Sequence, residues 1–528
     1  METKEIARQT FWYLLAVYVL IVILVSFDFI GKYSLHFEIL AFVIGILGAF
    51  VLWSGKIGEL EIGKKILAGL TVLALVLVFV LRAIPYLKQT GRLIGLGYDA
   101  GLYQYGIVHG LANRDAWILR GGMEPGFLYL MKPFTWLFSS EVIVTWIFIG
   151  FCVLLGLAIY VFAREKFGTS AGVIAVLIYA VSAVQYYVFS YLYYKNVIGL
   201  VFALFSMTFL TRWEKSGGRM DWWLFVVLGG AVGLVHRPTF YIFGLSYFVY
   251  AFVSAWMTEK KIERLKWNVL AGVIILLIGF SLYAGDFFPA ITSILPAVGE
   301  GFVSPGESPG TFISFQNYQF TTLAYLPFAV LGLVALGKRK RLDMLFWWAV
   351  ICGVIVYAQF FFFNRFIIHL DIALILTAAY GFGIVIKNKK YFGIAALVLL
   401  LVSSGYAGYS IAMVARPGIS SDGIAMIERL NSVEENAYVM AISSEYSPWV
   451  LAYSGRETIA PGLFDLNEWD ESEWGRFWTG EDVEELMESY SSTGREIYLF
   501  AGTRDYGDEC FEVVYSSDAG NKIMKYVC

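Results

Sequence analysis

In Asn364-Arg365-Phe366-Ile367-Ile368-His369, an arginine and a histidine four residues apart open an apolar run, and on a helix they share one face. Lys195 begins another apolar run, and His236-Arg237 lies between two more. Cations at helix ends suit a phosphate monoester or diester, Arg through its planar fork and Lys as a point charge. The bland alternative is snorkelling, in which long basic side chains reach lipid headgroups and bind nothing else. It stays open for each residue alone; Arg365 together with His369 favours a site. Asp99 stands apart, in Leu96-Gly97-Tyr98-Asp99-Ala100-Gly101. It can take a proton from an incoming hydroxyl as a general base, or equally cap the helix that follows.

The elements that must position these residues are membrane helices. The chain is 59% hydrophobic, and a bilayer-crossing helix needs about 20 mostly apolar residues because its backbone polar groups must be satisfied internally. Apolar runs occur at Phe11–Gly31, Phe37–Trp53, Ile66–Leu87, Glu141–Ala163, Ala171–Phe189, Asn196–Thr211 and Trp222–Val235. They continue at Thr239–Met257, Val269–Asp286, Thr321–Leu336, Met344–Phe362, Ile367–Ile386 and Tyr391–Val414. The expected architecture is an α-helical polytopic membrane protein of about thirteen spans. The runs near Trp222 and Thr321 are short enough to be half-helices. Lys4 and Arg8 precede the first run, but no small-residue cleavage site follows, so a retained first helix is expected.

Alternate connections are basic: Lys56, Lys64 and Lys65; Arg164 and Lys166; Arg212, Lys215 and Arg219; Lys260, Lys261, Arg264 and Lys266; Lys338 to Arg341; Lys387, Lys389 and Lys390. The intervening ones are nearly free of clustered positive charge, and Phe287–Phe320 has no Lys or Arg at all. Positive loops stay in the cytoplasm, so the N-terminus is expected inside and the C-terminal region outside. On that topology all four histidines (His36, His109, His236 and His369) fall at the outer face, with Asp99, Arg120, Glu124, Lys132, Lys195, Arg237, Arg365 and Asp371. No charge is expected deep among the helices.

Two external connections are long, residues 88–140 and 287–320. The first holds a Gly- and Tyr-rich stretch at Leu96–Ala112 and Glu124–Phe138, both expected to lie at the membrane surface. The second carries Pro289, Pro296, Pro305 and Pro309 and reads as a binding loop or lid, or as a plain surface loop. Residues 416–528 hold 8 Lys/Arg against 22 Asp/Glu, a net of −14 that leaves +11 on the rest. This tail is expected to be a small α/β or α+β domain: helices at Ile424–Leu430 and Glu481–Tyr490, strands at Ala437–Ile442, Glu496–Phe500, Phe511–Tyr515 and Lys522–Val527. A disulfide between Cys510 and Cys528 is permitted outside the cell; Cys152 and Cys352 read as inert packing residues. There is no nucleotide-binding glycine fingerprint, no P-loop, no Cys–His metal cluster and no nucleic-acid footprint.

These residues resemble the GT-C superfamily of polyprenyl-phosphate-dependent glycosyltransferases, which includes protein O-mannosyltransferases and aminoarabinose transferases. Four stretches carry the likeness: Tyr98-Asp99 with Glu124-Pro125-Gly126-Phe127-Leu128-Tyr129; Ala163-Arg164-Glu165-Lys166-Phe167-Gly168 through Tyr194-Lys195-Asn196; Leu234-Val235-His236-Arg237-Pro238-Thr239; and Asn364-Arg365-Phe366-Ile367-Ile368-His369. It spans residues 64–415 as the catalytic part, with two helices added in residues 1–63. The resemblance implies an inverting transfer of a sugar from a polyprenyl phosphate donor to a glycan, lipid or protein acceptor on the non-cytoplasmic face. Asp99 would be the base. Arg365, Lys195, His369, Arg237 and His236 would hold the leaving phosphate. Glu124, His109, Tyr98, Gln316 and Asn317 would touch substrate. No cofactor is implied; a divalent metal is permitted and not required, because no Asp-x-Asp stands in the first loop. A lipid or glycan transporter and a non-catalytic assembly protein with a partner-binding acidic tail are the alternatives.

Overall fold

The computed structural model describes residues 2–27, 34–52, 63–110, 123–258, 261–286, 313–338, 342–360, 363–463 and 466–528. Arg120, Lys56, Lys260 and the four loop prolines lie outside them. The chain divides into two units: residues 1–84, 149–189 and 193–414 form the first, and residues 85–148, 190–192 and 415–528 the second.

Every apolar run named above contains a helix in the first unit or at its edge. Among the described residues, eight helices are long and apolar enough to cross a membrane: Lys4–Ser26, Lys64–Leu87, Ser140–Phe167, Tyr194–Ser216, Arg237–Trp256, Lys261–Tyr283, Phe363–Asn388 and Lys390–Val414. Two bent pairs bring the number to ten, Thr169–Val181 with Ala183–Ser190 at 54° and Phe315–Thr322 with Leu326–Lys338 at 83°. The helices Ser34–Val51, Arg219–Val235 and Met344–Tyr357 are shorter, so thirteen full spans are not established. Length decides this: the last of them has 14 residues, less than a hydrocarbon core requires. The half-helix expected near Thr321 is found as the 83° bend.

Phe363–Asn388 is the buried axis of the first unit, 94% of its apolar window being enclosed. Its crossing with Leu326–Lys338 depends on glycine. A Cβ on Gly332 would lie 2.0 Å from the Thr377 carbonyl oxygen, and one on Gly381 2.0 Å from that of Phe328. Small residues let membrane helices approach closely where no hydrophobic force draws them together. At the end of this bundle, Lys166 reaches Asp343 at 2.6 Å. Asp343 also caps Met344–Tyr357 by accepting the N–H groups of Leu345 and Phe346.

The second unit joins the first long connection to the acidic tail. The tail is a five-stranded sheet in the order β2-β1-β3-β5-β4, with β1 Tyr438–Ala441, β2 Glu457–Ile459, β3 Ile497–Gly502, β4 Phe511–Ser516 and β5 Lys522–Tyr526. β1 runs parallel to β2 and β3, and β5 antiparallel to β3 and β4. The aromatic core of Trp469, Trp474, Phe477, Tyr490 and Phe511 closes one face. Cys510 and Cys528 are disulfide-bonded, and Cys152 and Cys352 are buried thiols. Three elements were not expected: helices Ser447–Tyr453 and Glu471–Thr479, and β2. The second had a readable signal, since Asp470 and Glu473 form a capping box; β2, at three residues, had none.

Candidate functional site

In the first unit, four helix ends bring the basic residues together. Lys195 lies in the first turn of Tyr194–Ser216. Arg237 opens Arg237–Trp256, followed by Pro238, whose missing N–H is harmless in a first turn. Arg365 and His369 occupy the opening turns of Phe363–Asn388. His236 is the extended residue between Arg219–Val235 and Arg237–Trp256, and its ring accepts the Thr239 backbone N–H at 3.3 Å. Burial, then the positive charges of Lys195, His369, Arg365 and Arg237, hold the His236 imidazole well below its ordinary pKa. All four basic groups are therefore within electrostatic reach of one neutral ring.

Thr239 ties the cluster together. Its Oγ1 is 2.7 Å from His236 Nδ1 and 2.9 Å from His369 Nε2. His236 Nδ1 already accepts an N–H, so it carries no proton and the Thr239 hydroxyl donates to it. His369 Nδ1 lies 3.3 Å from the Arg365 carbonyl oxygen, so the donor in the contact between Nε2 and the Thr239 hydroxyl is set by the ring's tautomer, and Asn196 Nδ2 approaches that hydroxyl at 3.5 Å. Gly199, one turn beyond Lys195, makes room: a Cβ there would lie 3.2 Å from His236 Cβ and 3.4 Å from Thr239 Cβ. His369 is fully buried, and its carbonyl accepts Trp348 Nε1–H at 3.0 Å. Arg365 is exposed, and Lys195 and Arg237 are half-buried. The arrangement presents three cations, one exposed and two half-buried, beside a hydrogen-bonded floor.

Deeper polar residues correct the expectation that charge stays at the helix ends. Asp371 is fully buried and accepts from Gln185 Nε2 at 2.8 Å, Ser182 Oγ at 3.1 Å and the Tyr325 hydroxyl. Arg82, also fully buried, donates to the carbonyls of Val78 and Gln185, each at 3.3 Å, and lies over the rings of Tyr179 and Phe189. Gln185 thus stands between a buried cation and a buried anion, and Ser182 marks the 54° bend. Arg82 interrupts an apolar run, a signal the sequence did contain. Glu38 is a third buried charge, holding Gln319 Nε2 at 2.5 Å and the Tyr357 hydroxyl at 2.6 Å. Gln316 and Asn317 are exposed on the same short helix as Gln319; residues 287–312 lie outside the described part.

Asp99, Tyr98, Glu124 and His109 belong to the second unit. Gly97 sets the approach to them: its φ is +77°, and a Cβ would lie 2.7 Å from the Tyr191 carbonyl carbon, so only glycine fits. Asp99 occupies the N-cap position of Ala100–His109, yet its side chain makes no capping hydrogen bond. Its charge, after burial, pushes the Tyr98 phenol up, so that hydroxyl keeps its proton. The following helix is held by the tail. Gly101 meets the backbone of Pro448, where a Cβ would come within 2.3 Å of its carbonyl oxygen. Tyr453 donates to Gln104 Oε1 at 2.7 Å. Leu102 and Tyr105 pack on Leu451, Ala460 and Leu463. Arg92 bridges Glu141 at 2.8 Å and Glu428 at 2.5 Å, with its guanidinium 4.7 Å from the Tyr453 ring. Glu124 is buried ahead of Pro125–Met131, and His109 is exposed. Among the described residues, no three His, Cys, Asp or Glu side chains are grouped to hold a metal ion.

Helical spans with polar and charged groups at their ends, joined to a small mixed α/β unit, define a multi-pass membrane protein with a GT-C-like fold. Residues 123–283 match the family model described as dolichyl-phosphate-mannose-protein mannosyltransferase. The archaeal oligosaccharyltransferase AglB from Archaeoglobus fulgidus, in complex with an inhibitory peptide and a dolichol-phosphate, superposes with a TM-score of 0.61 at 14% identity, covering 83% of this chain and 69% of that one. ArnT from Cupriavidus metallidurans bound to undecaprenyl phosphate superposes with a TM-score of 0.58 at 14% identity, covering 88% and 99%. No curated protein matches the sequence. The resemblance read from the motifs is borne out, at identities that speak for the fold.

Proposed function

We propose that this protein is a membrane glycosyltransferase that moves a sugar from a polyprenyl phosphate donor to an acceptor hydroxyl with inversion. The observation that carries the reading is the set of Lys195, Arg237 and Arg365 gathered around His236 at helix ends. It suits a lipid phosphate leaving group, the kind of ligand held by the AglB and ArnT structures of the same fold. Arg365, Lys195 and Arg237 bind the phosphate oxygens and stabilise the charge that develops as the sugar–oxygen bond breaks. His369 and His236 support them from beneath through Thr239. Asp99, whose side chain makes no capping hydrogen bond, takes the acceptor proton as that oxygen attacks the anomeric carbon. Tyr98, Glu124, His109, Gln316 and Asn317 are the proposed substrate contacts. A monophosphate neutralised by cations requires no metal for this step. The alternating basic loops favour an N-terminus in the cytoplasm and an acidic tail outside.

The transport alternative has Arg82 and Asp371 in its favour, because intramembrane charge marks transport paths. Both are immobilised in hydrogen bonds, which favours a structural role. The deciding experiment incubates membranes containing the full chain with radiolabelled polyprenyl-phosphate sugars. Wild type should transfer label; Asp99→Asn should lose about 10²–10⁴-fold, and Arg365→Ala about 10²–10³-fold. Full activity in both variants would end the mechanism.

A further inference from the structure

A cavity of about 860 Å³ lies in the first unit among Tyr194–Ser216, Arg219–Val235 and Lys261–Phe280. Four indoles line it, those of Trp213, Trp222, Trp223 and Trp267, together with Arg219 and Arg264. Ser216 ends one membrane span and Lys261 begins another, so the polar part of the lining lies where two spans end. Leu270 and Ile274 continue it along the apolar length of the second span. Indoles at such a level commonly form an anchoring belt and need no ligand.

Two features exceed a belt. Trp222 is 4% exposed, and its Nε1–H has no hydrogen-bond acceptor, a buried donor left unsatisfied beside open space. Arg219 has no ion-pair partner among the described residues. Arg264, by contrast, is committed: its guanidinium holds Glu214 Oε1 at 2.9 Å and the Tyr250 hydroxyl at 2.8 Å, and lies 4.3 Å from the Trp213 ring. Glu263 balances the remaining charge, so net charge alone does not define the ligand. The neighbouring outward face is apolar, with Trp223, Val227, Trp267 and Leu270 each about half exposed.

We propose that this cavity holds a glycerophospholipid of the surrounding leaflet, its phosphodiester on Arg219 and the Trp222 Nε1–H and its hydrocarbon along Leu270 and Ile274. An orphan donor and an uncommitted guanidinium are the groups a phosphodiester satisfies, and the apolar wall favours a lipid over a free anion. The site is separate from the cations around His236 and does not depend on the proposed transfer activity.

The test uses the purified full-length chain in detergent, titrated with phosphatidylglycerol carrying dibrominated acyl chains, with quenching of indole fluorescence as the readout. Wild type should show saturable quenching, and Arg219→Gln should shift its midpoint about tenfold to higher lipid. Trp222→Phe, which keeps the ring and removes the donor, should shift it in the same direction. A dibrominated diacylglycerol without phosphate should quench weakly and be indifferent to Arg219→Gln. Equal midpoints in wild type and both variants, or equal binding of the phosphate-free lipid, would overturn the proposal. Relief of quenching by millimolar inorganic phosphate would reassign the site to a free anion and refute the lipid.

Discussion

Thr239 Oγ1 stands 2.9 Å from His369 Nε2, joining the first turn of Arg237–Trp256 to the second turn of the buried Phe363–Asn388 helix. The same oxygen is 2.7 Å from His236 Nδ1, so one hydroxyl orders two imidazoles beneath the cations. Replacing Thr239 by Val keeps the volume, takes the hydroxyl from the buried His369 Nε2 and leaves His236 Nδ1 with the backbone N–H alone. The expected cost is about 1–3 kcal/mol, read as a lower thermal midpoint, with transfer reduced beyond what the lost folded fraction explains. Thr239→Ser should recover most of both. A Val variant as stable and active as wild type would show the hydroxyl to be idle.

Acid should weaken the same region. The folded pKa of His236 is depressed by burial and neighbouring cations, whereas an unfolded histidine titrates near about 6.5. Below that pH the unfolded chain binds the proton more readily than the folded one. Stability is therefore intact above about pH 6.5 and lost as the pH falls from there toward the folded value. Thermal midpoints between pH 8 and pH 5 should decline for wild type and decline less for His236→Gln; identical slopes would remove His236 from the account.

The tail should act on the helix that follows Asp99. Gly101 has backbone of Pro448 where a side chain would stand, so Gly101→Val is expected to destabilise the second unit by about 1–3 kcal/mol. Tyr453→Phe removes the donor to the buried Gln104 and should cost about 1 kcal/mol. A tail merely tethered to the chain would leave proteolytic resistance of residues 85–148 unchanged in both variants; faster cleavage there is the expected result.

Reduction should loosen the tail without unfolding the membrane part. Cys510 and Cys528 are 18 residues apart, and closing a loop of that size stabilises by about 3 kcal/mol in the chain-entropy view. Cys510→Ser with Cys528→Ser should lower the tail's denaturation midpoint in oxidising buffer and abolish its response to reductant. No change on reduction in wild type would contradict the bridge.

Much of this molecule was readable residue by residue. Apolar runs of helix length announced the spans, because a bilayer demands that every backbone group be satisfied within its own segment. Arg365 and His369 announced themselves by a spacing of four, and the tail strands by short runs rich in β-branched and aromatic residues. Asp99 was found with its two readings open; the helix-start position was right, and the missing capping bond was invisible until the backbone was seen.

What the chain alone could not declare is pairing. Thr239 meets His369 across 130 residues, Gln185 meets Asp371 across 186, Glu38 meets Gln319 across 281 and Gln104 meets Tyr453 across 349. Each of these residues is ordinary in its local context, and composition and periodicity describe only a few turns at a time. Residue type and spacing therefore determined the spans and the basic helix ends. Which buried donor meets which buried acceptor was decided by close helix crossings, at Gly199, Gly332 and Gly381, that exist only once distant segments have packed.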